Sequence, residues 1–429
     1  MNPHSFFWNY RVFFILCIVL GDSAHGELAH ASASDRNWTQ DAGNAGHTRY
    51  VNMDVAPNSI KKLWDVPILY NHTTSHAWNE WDVAIDDSHV YRTALEGYPP
   101  GGDFHILALK LDSGVQQWEK TIRGRAHAGV RPPSVSDGIV YVNRAGHSGI
   151  SGGSSSDYPK LYGLDARTGQ EIFVTNYSDQ WGSYDRPSVQ ADTVIMEGGY
   201  YGGIYAYEAT SGDIRWFESN AAAYILAQDG FYSNDGLRDY ADATKIRDIA
   251  DPLLRTVTPV LASTEADLLL VTSGNSTDRK LSAFNESGDT WQWDHELDSD
   301  SSTFAATPDR VIVSGQSKLE ILDRETGVLL IDWESSSPLV YSQLAVTNTH
   351  AILQDTRGLV SFVNLATGQT DWSQSAPVGT LAVGQGLLVL SSRYEVSAYT
   401  LVPEPSSFVL LGMGGLALIA WRRNKRGLA

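Results

Sequence analysis

A short motif recurs along the chain, and any fold must accommodate all of its copies at once. The clearest copies are residues 106–118 (ILALKLDSGVQQW), 204–216 (IYAYEATSGDIRW) and 359–372 (LVSFVNLATGQTDW). Looser copies are residues 161–173 (LYGLDARTGQEIF), 281–293 (LSAFNESGDTWQW) and 319–333 (LEILDRETGVLLIDW). Each is an alternating apolar strand, an acidic or amide residue, a small-residue–glycine turn and a second strand that reaches an aromatic ring. The turn glycines Gly114, Gly169, Gly212, Gly288, Gly327 and Gly368 stand 55, 43, 76, 39 and 41 residues apart. A period near 40 with about four short strands per unit is that of a β-propeller blade.

The physics of the unit follows from its residues. Alternation puts Leu107 and Leu109 on one face of the strand and Ala108 and Lys110 on the other. The glycine supplies the positive φ that a tight hairpin needs. The preceding Asp112, Asp165, Glu208, Asn285, Asp323 or Asn364 is placed to accept hydrogen bonds from turn amides. The aromatic residues Trp118, Phe173, Trp216, Trp293, Trp333 and Trp372 fall on the outer strand, where a large ring fills the gap between blades. One blade cannot bury both of its faces, so blades must stack around an axis.

These repeats resemble the PQQ-like (pyrroloquinoline-quinone-like) repeat over residues 35–402. The resemblance implies a propeller and leaves function open, because that fold hosts dehydrogenases, assembly factors and scaffolds. Residues 37–50 (NWTQDAGNAGHTRY) are similar to the segment that precedes the first blade of such propellers. Residues 59–67 (SIKKLWDVP) read as an outer strand without partners, whereas 387–391 and 396–402 lack a following Trp strand. Closing the ring by sharing one blade between the two chain ends satisfies both and removes two exposed edges. The expectation is therefore an all-β propeller of seven blades, six full repeats and one shared, with eight as the alternative. Residues 71–103 and 220–255 break the period. The second of these reads as a loop with a short helix in 240–250.

Composition bounds the partners. The chain of 429 residues carries a net charge of −19, which argues against nucleic acid. Its sole cysteine, Cys17, lies in the apolar run 12–20 (VFFILCIVL), so the propeller has no disulfide or thiol chemistry. Residues 1–31 read as a secretory signal, whose apolar core is too short to span a bilayer. At the other end, Pro403, Glu404 and Pro405 precede an apolar run, 408–421, and a basic end that includes Arg422 and Arg423. This order resembles the PEP-CTERM sorting tail of bacterial surface proteins. The resemblance implies a transient inner-membrane anchor, a cut near Pro-Glu-Pro by an exosortase, and delivery to the cell surface or extracellular space. As a helix the apolar run spans about 21 Å, short of the ~30 Å hydrocarbon core, a mismatch that snorkelling Arg and Lys tolerate. The division is thus 1–31 signal, 35–402 propeller and 403–429 sorting tail, with a transmembrane helix at 408–421.

The PQQ-like resemblance also raises quinone chemistry, since such dehydrogenases hold a quinone and Ca²⁺ at the axis beneath an adjacent cysteine pair. This chain has no cysteine pair. No residue carries over as a catalytic base or calcium ligand, so no catalytic residue, metal site or cofactor (PQQ or Ca²⁺) is expected. His72 and His76 stand four apart near Glu80 and Asp82, but off a helix that spacing carries little geometry. The acidic stretch 229–251 lacks the order of a calcium loop, as does Asp298-Ser299-Asp300. No G-x-S-x-G, H-E-x-x-H or P-loop occurs. The sequence thus reads as an exported, non-catalytic binding or scaffold protein for a polysaccharide or a surface protein. Trp78, Trp81, Tyr184, Tyr200 and Tyr201 suit sugar stacking. The alternatives are a quinone-dependent dehydrogenase-like enzyme and an outer-membrane assembly factor.

Overall fold

The computed structural model describes residues 37–401, apart from 41, 69–81, 97–102, 124–129, 146–157, 180–185, 220–223, 234, 250–256, 264–266, 276–277, 286–289 and 298–301. Among the described residues, thirty-two strands form eight four-stranded antiparallel sheets, each running from an inner to an outer strand. Blade 1 runs from Val83–Ile85 to Gln116–Ile122, blade 2 from Ser134–Ser136 to Glu171–Asn176, and blade 3 from Ser188–Gln190 to Ile214–Glu218. Blade 4 runs from Ile225–Ala227 to Lys245–Asp248, and blade 5 from Val257–Ser263 to Thr290–Glu296. Blades 6 and 7 run from Thr303–Ala306 to Leu329–Glu334 and from Leu339–Val346 to Thr370–Ser375. Blade 8 takes three strands from the end of the chain, Gly379–Gly384, Leu387–Ser392 and Glu395–Thr400, and its outer strand, Lys61–Pro67, from the beginning. That outer strand pairs antiparallel with its neighbour from Lys61↔Thr400 to Pro67↔Glu395. The first and last parts of the ring are thereby joined by backbone hydrogen bonds, and neither edge is left for another chain to pair with.

The ring has eight blades, so seven is corrected. Blade 4 is the one that the motif missed, and it occupies part of the stretch read as a loop. There is no helix in 240–249. Residues Asp239–Thr244 form the hairpin turn, and Lys245–Asp248 is a strand. The reason is local. The turn makes the same two backbone hydrogen bonds as its counterparts, Asp239 N to Thr244 O and Ala243 N to Asp239 O, as Asp165 N does to Gln170 O and Gly169 N to Asp165 O. Its positive-φ position, however, holds Ala243 (φ 60°) instead of glycine, and Arg247 stands where the aromatic belongs. Residues 71–103 likewise contribute the two inner strands of blade 1, Val83–Ile85 and His89–Glu96.

Blades are fastened to one another by the motif's ring and turn. Trp118 lies against the turn of blade 2, where a Cβ on Gly169 would fall 2.7 Å from the indole. Its indole N–H donates to the Ala166 carbonyl at 2.8 Å. Trp64 does the same to Gly114 and the Leu111 carbonyl at the blade 8–blade 1 seam, and Trp293 to Gly327 and the Arg324 carbonyl. Trp216 donates to the Tyr240 carbonyl of the irregular blade 4. Where the ring has no N–H, another group replaces it. Phe173 packs on Gly212 while the Tyr141 hydroxyl donates to Ala209 O (3.1 Å), and Ile331 packs on Gly368 while the Arg310 guanidinium donates to Leu365 O. Trp333 thus stands two residues beyond the packing position, on the outer strand, donating to Thr370 Oγ1. Trp372 packs edge-on against Phe362. Gly288 lies outside the described residues. The apolar core follows this arrangement: seven clusters, each built mainly from the facing sheets of adjacent blades.

Candidate functional site

At one end of the ring the inner strands are bordered by the chain itself. Residues 37–56 run as a belt past the ends of the inner strands, whose terminal amides would otherwise be unpaired. Trp38 O accepts from Ile85 N of blade 1, and Thr39 O from Val135 N of blade 2. The Gln40 amide takes both backbone groups of Val189 in blade 3, at 2.6 and 3.0 Å. Ala45, Gly46 and Thr48 carbonyls accept from Leu226, Ala262 and Ala306 of blades 4, 5 and 6, and Arg49 and Val51 bracket Val346 of blade 7. Asn37 Oδ1 accepts from Gln385 of blade 8 at 2.7 Å. Gly46 is held so close that a Cβ would fall 2.0 Å from the Ala262 oxygen.

Beside the belt a cavity of about 750 Å³ opens between the inner hairpins. Its lining includes Asn37, Gln40, Asn44, Asp86, Asp87 and Asp137 and, among the described residues, no Lys, Arg or His. Asp87 accepts from Asn37 Nδ2 (3.0 Å) and Gln385 Nε2 (2.8 Å), tying belt, blade 1 and blade 8 together. Asp86 caps its hairpin, accepting from Ser88 N, His89 N and the Tyr91 hydroxyl at 2.8, 2.7 and 2.6 Å. Burial first, then the Asp86 charge, pushes the Tyr91 phenol far above its usual range, so it holds its proton. A second cleft of about 630 Å³ lies at the seam of blades 8 and 1 and shares Asp87 and Ser88.

The arrangement does not assemble an acyl-transfer centre. Ser88 Oγ lies 2.8 Å from His89 Nδ1, the same ring nitrogen that faces Asp86 at 4.0 Å. A catalytic relay needs the serine and the carboxylate on opposite ring nitrogens.

Other charged groups pair within a blade or, for His295 and Glu320, across the seam of blades 5 and 6. His105 is bracketed by Glu119 (2.7 Å) and Glu96 (3.2 Å), His295 meets Glu320 (3.0 Å) and His350 meets Asp371 (3.0 Å). In blade 4, burial pushes the Asp235 carboxyl up, but the hydrogen bonds from Arg238, Ser233 and Lys245 together outweigh it and hold the group well below its usual range. Asp242 and Asp239 cap turn amides. Among the described residues no group of three His, Cys, Asp or Glu is arranged to hold a metal ion. Asp82 faces Arg186 at 4.0 Å. His72, His76, Glu80, Trp78, Trp81, Tyr184, Asp298, Asp300, residues 1–31, Pro403, Glu404, Pro405, the 408–421 run, Arg422 and Arg423 lie outside the described residues. No helix among the described residues is long and apolar enough to cross a membrane. Tyr200 and Tyr201 sit at the end of the ring opposite the belt, 42% and 88% exposed. The belt face was only partly legible in the sequence. The Asn37–Tyr50 segment, Gln40 included, stood out, but Asp86 and Asp87, which face it, belong to no motif.

Comparison with known proteins agrees with this geometry. No curated protein matches the sequence significantly. Among solved structures, BamB from Moraxella catarrhalis superposes with a TM-score of 0.57 at 18% identity, covering 80% of this chain and 97% of that one. A europium-containing methanol dehydrogenase gives 0.58 at 11% identity, covering 86% and 98%. A computationally designed protein gives 0.54 at 13% identity, covering 76% and 98%. At such identities the likeness is one of fold alone, and the three do not share a function. A PEP-CTERM protein-sorting motif matches residues 401–426, which implies export and processing by an exosortase. The family of the outer membrane protein assembly factor BamB matches residues 102–228 and 277–405, more than half of the chain, and the chain belongs to that family of PQQ-type repeat propellers.

Proposed function

We propose that this protein is an exported binding or scaffold propeller, delivered to the cell surface or extracellular matrix, and not a catalyst. The observation that carries the reading is the belt: at the axial end where a propeller enzyme would hold a cofactor, the inner strands are bordered by the chain itself, and the cavity beside it is acidic, with no Lys, Arg or His among its described lining residues. The absence of an adjacent cysteine pair supports the same conclusion. In this reading residues 1–31 are removed on export. The 408–421 run then holds the protein in the inner membrane with Arg422 and Arg423 on the cytoplasmic side, until an exosortase cuts near Pro403–Pro405. The partner is a polysaccharide or another surface protein. The family match favours a second reading, an assembly factor at the outer membrane. A quinone-dependent dehydrogenase is the third, and the missing cysteine pair weighs against it.

The sorting part is tested in the native host. Mass spectrometry of surface-exposed protein is expected to place the mature C-terminus close to Pro403–Pro405. Replacing Pro403, Glu404 and Pro405 with alanine is expected to trap the protein in the inner membrane. Surface protein that retains Ala429 contradicts this reading and leaves a permanent anchor.

A further inference from the structure

The second hairpin of blade 3 joins Thr193–Glu197 to Ile204–Glu208 through Gly198-Gly199-Tyr200-Tyr201-Gly202-Gly203. Its backbone is fixed. Gly198 N donates to Gly203 O (3.0 Å), Gly202 N to Gly199 O (3.3 Å) and Gly199 N to Ser178 O (2.6 Å) of the preceding connection. Gly199, Gly202 and Gly203 have φ of 93°, 89° and 136°, a region that side chains disfavour. A Cβ on Gly199 would fall 2.5 Å from the Phe217 ring, and one on Gly203 2.6 Å from the Glu218 carbonyl oxygen. The glycines are therefore demanded by the fold.

The tyrosines are not. Tyr200 and Tyr201 meet each other edge to face, with centroids 4.8 Å apart and planes at 86°. Neither hydroxyl has a hydrogen-bond partner among the described residues. Phe217, 41% exposed, lies against the glycines and stacks on Tyr205 at 4.4 Å, and Tyr205 continues inward to Tyr207 and Tyr177. The result is a rigid ridge of open ring faces and free phenol groups beside bare glycine backbone. Aromatic side chains exposed to this degree lose hydrophobic stabilisation, and on an anchored hairpin they mark a contact surface.

We infer that this hairpin is a glycan-binding site that stacks the C–H face of a neutral pyranose on Tyr201 and Tyr200, a deepening that rests on the binding-protein reading above. One hairpin tip is too small for the 1,200–2,000 Å² of a stable protein interface, but it matches one or two sugar units. The phenol hydroxyls supply the donors and acceptors that sugar hydroxyls need. A net charge of −19 disfavours polyanionic chains and leaves neutral ones.

The test is native affinity electrophoresis of the detergent-purified full-length protein in gels containing hydroxyethylcellulose, soluble starch or, as the anionic control, alginate. At least one neutral glycan is expected to retard the protein, and alginate is not. Tyr201→Ala and the double variant with Tyr200→Ala are expected to weaken retardation at least tenfold at an unchanged melting temperature, while Tyr201→Trp retains it. Mobility unaffected by every neutral glycan, retardation that persists in the double variant, or cross-linking of Tyr201 to a surface protein instead would each overturn the site. Surface-located protein that binds no glycan removes only this inference, whereas cofactor-dependent turnover removes the underlying reading.

Discussion

At the scale of single residues, the contact repeated around the ring is an aromatic side chain on a glycine turn. Trp118→Ala removes a nearly buried indole from the blade 1–blade 2 seam, and Trp→Ala in such a place costs about 3–5 kcal/mol. Trp118→Phe keeps a ring on the seam and should cost less, about 1–2 kcal/mol, because it removes the indole donor to Ala166 O while the single Tyr91 hydroxyl proton is held by Asp86 at 2.6 Å. Tyr141→Phe should cost about 1–2 kcal/mol, since it removes the donor to Ala209 O that Phe173 cannot replace. Urea unfolding of the three variants checks the order, and equal losses would contradict it. A charged contact at the same scale predicts a pH effect. The hydrogen bond from His295, opposed by burial and reinforced by Lys318, holds Glu320 below its usual value of 4.5. A depressed carboxylate stabilises the fold above its unfolded pKa, and that contribution is lost as pH falls through the lower folded value. The stability difference between wild type and Glu320→Gln should therefore shrink below about pH 4.5. A difference that stays constant from pH 6 to pH 3 would reject the Glu320 contribution.

At the scale of the element, blade 4 and the belt separate what the sequence disclosed from what it concealed. Hairpins with Asp-x-x-Thr-Gly turns were legible because only glycine takes positive φ there without strain, which fixes the residue type. Blade 4 was concealed because its turn accepts Ala243 and its outer strand carries Arg247. Its presence was still encoded in the 76-residue gap between Gly212 and Gly288, nearly twice the repeat. Ala243→Gly should thus raise stability by about 0.5–1 kcal/mol, as relief of the left-handed strain exceeds the entropy cost of glycine. A lowered melting temperature would contradict the strain. The belt was concealed for a different reason. Its hydrogen bonds come mostly from backbone carbonyls, which leave no mark on residue type. Deleting residues 35–67 removes the belt and the outer strand of blade 8 together, exposing the Glu395–Thr400 edge. It is expected to lower the melting temperature far more than removal of a surface loop and to promote aggregation.

At the scale of the whole molecule, the ring is closed twice, once by the Lys61–Pro67 strand and once by the belt past the ends of the inner strands. A closed ring of this kind presents its described hairpins on a common scaffold, which suits binding. The same fold serves an assembly factor and a dehydrogenase, so function has to be read from charge and exposure at the two ends. One end is bordered by the belt and acidic, and the other carries an exposed aromatic ridge. The most direct test of the claim that this ring binds and does not oxidise is a dye-linked turnover measurement. The full-length protein is incubated with pyrroloquinoline quinone and Ca²⁺ and supplied with alcohols or sugars and an electron-accepting dye. The expected result is dye reduction no faster than in a protein-free control, and quinone-dependent turnover well above that control would contradict the account.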